Sequence, residues 1–206
     1  MDANNKRRKL VLKTYENGAQ MNKIFLKKYF ELYKKLLFDE SIFVQLLKLK
    51  KDLVRIHKNG GKTMIMGNGG SAAIASHVSV DFSKNANIRM VNFNEADLIT
   101  CLANDYGYEH WMAKAIEIYG DQGDQVILIS SSGNSANVVN AAKTSKKKGY
   151  KVITFTGFDE NNPLKSSGDF NFWVDSRAYN IVEMVHHIWL LAVCDSVIGK
   201  AEYSAS

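Results

Sequence analysis

The stretch MIMGNGGSAAIASHVSVDF, residues 64–82, decides how this chain is read. An apolar run ends in Gly67-Asn68-Gly69-Gly70-Ser71, and an Ala-rich segment with helical spacing follows, carrying His77 and Asp81 one turn apart. The pattern predicts a strand, a tight glycine turn and a helix. Such a turn leaves backbone N–H groups free at a helix N-terminus, where the dipole and the donors together favour an anion, most often a phosphate.

Outward from that stretch, short β-type runs alternate with helical ones from Gly61 onward, the mark of a parallel α/β sheet. Strands are expected at 63–66, 88–93, 125–130, 151–156 and 170–174, with helices at 96–102, 108–119, 137–148 and 179–198. The 125–130 run, QVILIS, is continuously apolar, as a strand covered on both faces should be. Upstream, residues 20–38 and 41–57 repeat apolar side chains at helical intervals, with a cap region around Ser41 and a stop at Asn59-Gly60-Gly61. Both helices are apolar over a wide arc, which suggests packing against another subunit.

Composition bounds the answer. A chain of 206 residues, 46% apolar and with a single proline, can bury one sizeable core and is short for two. The expected organisation is a basic tail over 1–19, one domain over 20–199 that includes two N-terminal helices (20–58), and a short tail over 200–206. The net charge of +6 is unevenly spread: residues 1–62 hold 16 of the 27 Lys and Arg but only 6 of the 21 Asp and Glu. Lys6-Arg7-Arg8-Lys9 carries part of that excess, but no aromatic interleaving or recognised module accompanies it, so nucleic acid is not an expected partner. Cys101 and Cys194 sit in apolar surroundings without CxxC spacing and read as buried thiols of a reducing compartment. No signal-peptide pattern is seen and no apolar run approaches the ~18 residues of a membrane span, so the expected location is cytoplasmic, away from membranes.

A second loop matters as much as the first. Ser130-Ser131-Ser132-Gly133-Asn134-Ser135 follows the QVILIS strand and opens a helix, and its hydroxyls with backbone N–H groups suit three phosphate oxygens. It lacks the lysine of a Walker-type loop, so a nucleotide site is disfavoured. A dinucleotide reading of Gly67–Ala72 fails too, because Val91-Asn92-Phe93 supplies no acidic residue at the end of the second strand. No nucleotide cofactor is expected.

GNGGS with a helical His, AND-Y-G-Y at 104–108, and SSSGNSANV at 130–138 followed by KVITFTG together resemble the sugar isomerase (SIS) domain. Within it the likeness is to the phosphoheptose isomerases, over roughly residues 20–199. The resemblance implies an α/β three-layer sandwich with a five-stranded parallel sheet, flavodoxin-like and preceded by N-terminal helices. It also implies a homotetramer and the interconversion of sedoheptulose 7-phosphate and D-glycero-D-manno-heptose 7-phosphate for surface polysaccharide. By the same resemblance, Ser130, Ser131, Ser132 and Ser135 hold the phosphate, Asn68, Gly69 and Ser71 face the sugar, and Asp105 contacts a sugar hydroxyl.

The chemistry departs from that family. Aldose–ketose isomerisation needs a base beside the carbonyl carbon and an acid for the developing enediolate, a task that a metal can share. Members use a His and a Glu on the first helix and a Gln and a His on the last, which can bind zinc. Here His77 is kept, Asp81 replaces the Glu, and Val182 and Leu190 replace the Gln and the His. His186 lies four residues from each and is expected on the same row, so Asp81 and His186 are the expected catalytic pair, with His77, Asp81 and His186 as zinc ligands. His187 and Glu183 are expected to point elsewhere. The competing reading is a non-catalytic phosphosugar-binding adaptor, of the kind in this family that binds the replication initiator.

Overall fold

The computed structural model describes residues 19–203. It divides after Phe38. Helix α1 (Ala19–Leu37) is thus a unit of its own, whereas the expected single domain grouped both N-terminal helices together. Ile24, Phe25, Phe30 and Leu32 are exposed on it.

The second unit begins with α2 (Glu40–Lys58), capped by Asp39, whose carboxylate accepts from the Ser41 N–H at 2.9 Å. Then follow β1 (Thr63–Gly67), α3 (Gly70–Lys84), β2 (Met90–Val91), α4 (Ala96–Tyr106), α5 (Trp111–Tyr119), β3 (Gln125–Ser130), α6 (Ala136–Lys147), β4 (Lys151–Thr156), α7 (Pro163–Ser167), β5 (Phe170–Trp173) and α8 (Tyr179–Ile198). The second strand is two residues long because Asn92 and Asn94 leave the sheet. Their side-chain amides donate to Ser79 Oγ at 2.7 Å and to Ser76 Oγ and the Ala72 carbonyl, both at 2.8 Å, tying the loop to α3. The short helix α7 was not anticipated; Asn162 caps it, with Pro163 at its first turn.

All strand pairs are parallel, in the order β2-β1-β3-β4-β5. This is the flavodoxin-like order, and the expected fold class holds. Helices α4–α7 cover one face, where Met64, Met66, Val126, Leu128 and Val152 meet Trp111, Met112, Ile116 and Val138. Helices α2, α3 and α8 cover the other. There Phe155 stacks on Phe172, with ring centroids 4.5 Å apart, and the His186 ring meets Phe155 edge-on at 5.5 Å. The order in which strands are added reverses between β1 and β3, which opens a crevice at their C-terminal ends, where open α/β sheets bind ligands.

Two compositional expectations change. Cys194 is buried, and burial pushes its thiol up to about 12, but Cys101 is exposed because α4 presents it to the outside, with its sulfur 3.9 Å from Asp105 Oδ2. Helix α8, at 20 residues with a mean hydropathy of 1.6 over its best 18-residue window, is long and apolar enough to cross a membrane by length and composition. Its apolarity has a packing cause, since Ile181, Val182, Val185, Trp189, Leu190 and Val193 are all buried against the rest of the unit.

Candidate active site

The crevice holds a cleft of about 250 Å³ lined by Asn68, Gly69, Gly70, Ser71, Ile129, Ser130, Ser131, Ser132, Ser135, Tyr179 and Glu183. It lies a little below the about 300–1,000 Å³ usual for small-molecule sites. Among the described residues, no lysine or arginine lines it. Two helix N-termini supply positive potential instead: Gly70-Ser71 opens α3, and Ser135-Ala136 opens α6.

Gly69 precedes α3 at φ +55°, a conformation natural to glycine. A Cβ at Gly67 would lie 2.6 Å from Ser71 Cβ, so glycine lets the strand end pass close under the helix start. Asn68 is fixed by a reciprocal amide pair with Asn137, both bonds 2.9 Å, and accepts from Tyr108 Oη at 3.1 Å.

In the serine loop, the Gly133 N–H donates to the Ser130 carbonyl at 3.0 Å, closing the turn at φ +65°. Ser135 occupies the N-cap position of α6 but makes no capping bond with its side chain. Its hydroxyl is 3.4 Å from Ser130 Oγ and is otherwise available to a ligand. Ser131 Oγ is buried and has no hydrogen-bond partner among the described residues. An orphaned buried hydroxyl costs stability unless a ligand completes it, and an anion in this cleft would do so.

The expected binding residues Asn68, Gly69, Ser71, Ser130, Ser131, Ser132 and Ser135 therefore come together. Asp105 does not. It is exposed on α4, accepts from the Asn104 side chain at 2.9 Å, and stands outside the cleft wall, to which its motif contributes Tyr108 as the partner of Asn68.

The last helix requires the larger correction. His186 does not enter the cleft: it is fully buried, with Nε2 3.0 Å from the Thr156 carbonyl, and burial pushes it down to about 4. It can serve neither as the expected catalytic acid nor as a zinc ligand beside His77. Val182 and Leu190 are also fully buried, and Val182 packs beside Gly157, where a Cβ would come within 2.7 Å. The row facing α3 is Tyr179, Glu183 and His187, about 100° round from the expected one. His187 Nε2 is 2.9 Å from His77 Nδ1, and His77 Nε2 is 3.3 Å from Asp81 Oδ2. Burial first, then the neighbouring His77, lower the His187 pKa from its ordinary value.

As they stand, His77, Asp81 and His187 do not fit a zinc ion. Both His77 ring nitrogens are engaged, one with His187 and the other with Asp81, and no three His, Cys, Asp or Glu side chains converge as a ligand set among the described residues.

Glu183 was missed. Its carboxylate lies over Gly70, where a Cβ would sit 2.3 Å from Oε2, and burial raises its pKa above the usual carboxylate range. The signal was present in α8 itself, a polar stripe of Glu183 and His187 four residues apart beside an apolar arc.

Comparison with known proteins agrees with this geometry. The SIS domain family profile matches residues 28–157. The phosphoheptose isomerase of Fusobacterium nucleatum is 32% identical over 173 residues, covering 82% of this chain and 89% of that protein. That of Thermodesulfovibrio yellowstonii is 35% identical over 157 residues, covering 71% and 78%. The structure of phosphoheptose isomerase GmhA from Neisseria gonorrhoeae superposes with a TM-score of 0.76 at 27% identity, covering 86% of this chain and 99% of that one. This chain belongs to the phosphoheptose isomerase family of SIS-domain proteins.

Proposed function

We propose that this protein is an aldose–ketose isomerase that interconverts sedoheptulose 7-phosphate and D-glycero-D-manno-heptose 7-phosphate, supplying heptose for lipopolysaccharide or capsule. The observation that carries the reading is the serine cleft at the β1/β3 switch point, where among the described residues no lysine or arginine lines the wall and the buried hydroxyl of Ser131 has no partner. Neutral donors and helix N-termini hold a phosphate without neutralising it, and the sugar then extends over Asn68, Gly69 and Ser71.

The protein would work in the cytoplasm, where sugar phosphates are made. A homotetramer is part of the same reading, supported by exposed apolar side chains at Phe43, Val44 and Leu47 on α2 and at Met184 and Ile188 on α8. Zinc, if bound, would polarise the substrate carbonyl; no step here runs through it, because the ring nitrogens of His77 and the carboxylate of Asp81 are engaged with neighbouring side chains.

The adaptor alternative rested on Val182 and Leu190. Both lie in the core, where packing calls for apolar side chains whatever the cleft does. They therefore say nothing about lost chemistry.

The test is purified protein, with and without chelator, mixed with sedoheptulose 7-phosphate in D₂O and followed by NMR. Aldose product carrying deuterium at C2 is expected. Intact binding with neither turnover nor exchange would refute the enzyme and favour the adaptor.

A further inference from the structure

We propose that Tyr108 and Asn137 are positioning residues that commit the Asn68 amide to one task, donating its remaining N–H to an oxygen of the bound sugar. The inference rests on the phosphosugar reading above and names what holds the first loop of the cleft in register with the second.

Valence fixes the orientation of the amides. The Val138 N–H can only donate, and it points between the Ser135 carbonyl and Asn137 Oδ1, each 3.0 Å away, so the oxygen of Asn137 is on that side. Asn137 is buried and meets Asn68 with both of its groups: Oδ1 accepts from Asn68 Nδ2, and Nδ2 donates to Asn68 Oδ1, each at 2.9 Å. The Tyr108 hydroxyl, 3.1 Å away, therefore meets an oxygen and donates to it. An amide oxygen has two lone pairs and an amide nitrogen two hydrogens. Both lone pairs of Asn68 Oδ1 are taken, and so is one hydrogen of Nδ2, which leaves a single N–H for a ligand in the cleft that Asn68 lines.

The partners come from separate segments. Asn68 follows β1, Tyr108 lies between α4 and α5, and Asn137 stands in the first turn of α6, two residues past Ser135 of the serine loop. The Tyr108 hydroxyl has no other partner among the described residues, and the residue is exposed, so this bond does little for the core. An amide free to flip would offer a ligand its N–H or its C=O indifferently. One held by its oxygen offers the N–H alone, and loses no further rotamer freedom when the sugar arrives.

Calorimetry with sedoheptulose 7-phosphate and with sulfate, alongside thermal melting, compares wild type, Y108F, N137L, N68A and the Y108F/N68A double variant. Y108F should melt with wild type, bind sulfate equally and bind the sugar phosphate about 3–10-fold more weakly, the effect of one hydrogen bond. N137L loses both bonds of the pair and should weaken the sugar phosphate by about 10–100-fold. In the N68A background Y108F should have no further effect, because it acts through Asn68. Y108F with wild-type affinity, or a loss that persists undiminished without Asn68, overturns the assignment and leaves the phosphosugar reading intact; Tyr108 is exposed, so this comparison does not depend on how well N137L folds. A wild type that binds sulfate but not sedoheptulose 7-phosphate fails the phosphosugar reading, and this inference with it.

Discussion

Replacing Gly70 with alanine separates stability from chemistry at a single atom. Gly70 opens α3 without left-handed backbone, so alanine is conformationally acceptable there. Alanine in a helix gains about 0.5–1 kcal/mol over glycine, and the first position stands at the low end of that range. For a protein of this size the thermal midpoint should then rise by about 1–3 °C. The added methyl lies 2.3 Å from Glu183 Oε2 and 2.6 Å from its Cδ. Ordinary contact is about 3.5 Å, so the carboxylate must move by about 1 Å. It ends a flexible side chain with no hydrogen bond to lose among the described residues, which keeps the cost in stability small. A displacement of about 1 Å can nevertheless cost on the order of 10²-fold in rate.

The expected variant is therefore as stable as wild type or more so, binds sedoheptulose 7-phosphate as well, and isomerises it about a hundredfold more slowly. Thermal melting, calorimetry and NMR-followed turnover at one fixed protein concentration read the three quantities. G70A that turns over at the wild-type rate would show that displacing the Glu183 carboxylate does not disturb the bound substrate. A midpoint lowered by several degrees would refute the claim that only the carboxylate yields.

Further predictions follow from the serine loop and the buried imidazole. Gly133→Ala combines a left-handed backbone at φ +65° with a methyl 1.9 Å from Asn162 Oδ1, the side-chain oxygen that caps α7; about 1–2 kcal/mol of strain plus about 1 for the cap should appear in urea unfolding, against only the strain for Gly149→Ala, which has open space. Equal losses for the two variants would show that Asn162 does not feel the change. Ser131→Ala removes an unpartnered buried hydroxyl, so the free protein should be no less stable while phosphosugar affinity falls by about 10–100-fold in calorimetry; unchanged affinity would remove Ser131 from the phosphate site. Burial holds His186 at about 4 against an ordinary 6.5, so the unfolded chain binds its proton first, and stability present above pH 6.5 is lost as pH falls towards 4, by about 3 kcal/mol. His186→Phe should lose that part of the acid sensitivity in urea titrations at pH 7 and pH 4, and an unchanged slope would refute it.

The sheet was legible because its signals are local: QVILIS and KVITFT are apolar without interruption, and both proved to be strands with the expected bounds. The serine loop was legible as a strand-to-helix turn for the same reason, since small residues between a strand and a helix can do little else but cap or bind. The row of α8 that faces the cleft was not. An arc of eight buried residues, seven of them apolar, leaves a helix free to rotate by one residue without losing its core, and an imidazole at position 186 looks the same on paper whether it meets a ligand or a backbone carbonyl. Spacing between Val182, His186 and Leu190 set the row correctly relative to itself. It carried no information on which row faces α3, and that is fixed by the packing of Val182 beside Gly157. Asp105 failed similarly, because its motif is anchored through the Tyr108 hydroxyl on Asn68 while its own side chain faces outward.

Among the described residues no lysine or arginine lines the cleft, and this bears on the carboxylate opposite the serines. A bound phosphate keeps its charge, because hydroxyls and N–H groups share it without cancelling it. Glu183, already raised by burial, then faces an added anion across a small, partly dry space. Like charge disfavours ionisation further, so the carboxylate holds a proton more tightly in the complex than in the free protein. Sulfate tests this cleanly, since its charge is constant across the range in which a carboxylate titrates. With carbon-13-labelled glutamate, the midpoint of the Glu183 carboxyl resonance should move to higher pH when sulfate saturates the serine loop, and the shift should vanish in Ser131→Ala at the same sulfate concentration. A midpoint that stays or falls would mean that the anion sits too far from Glu183 to sense it, and the carboxylate and the phosphate would then belong to separate sites.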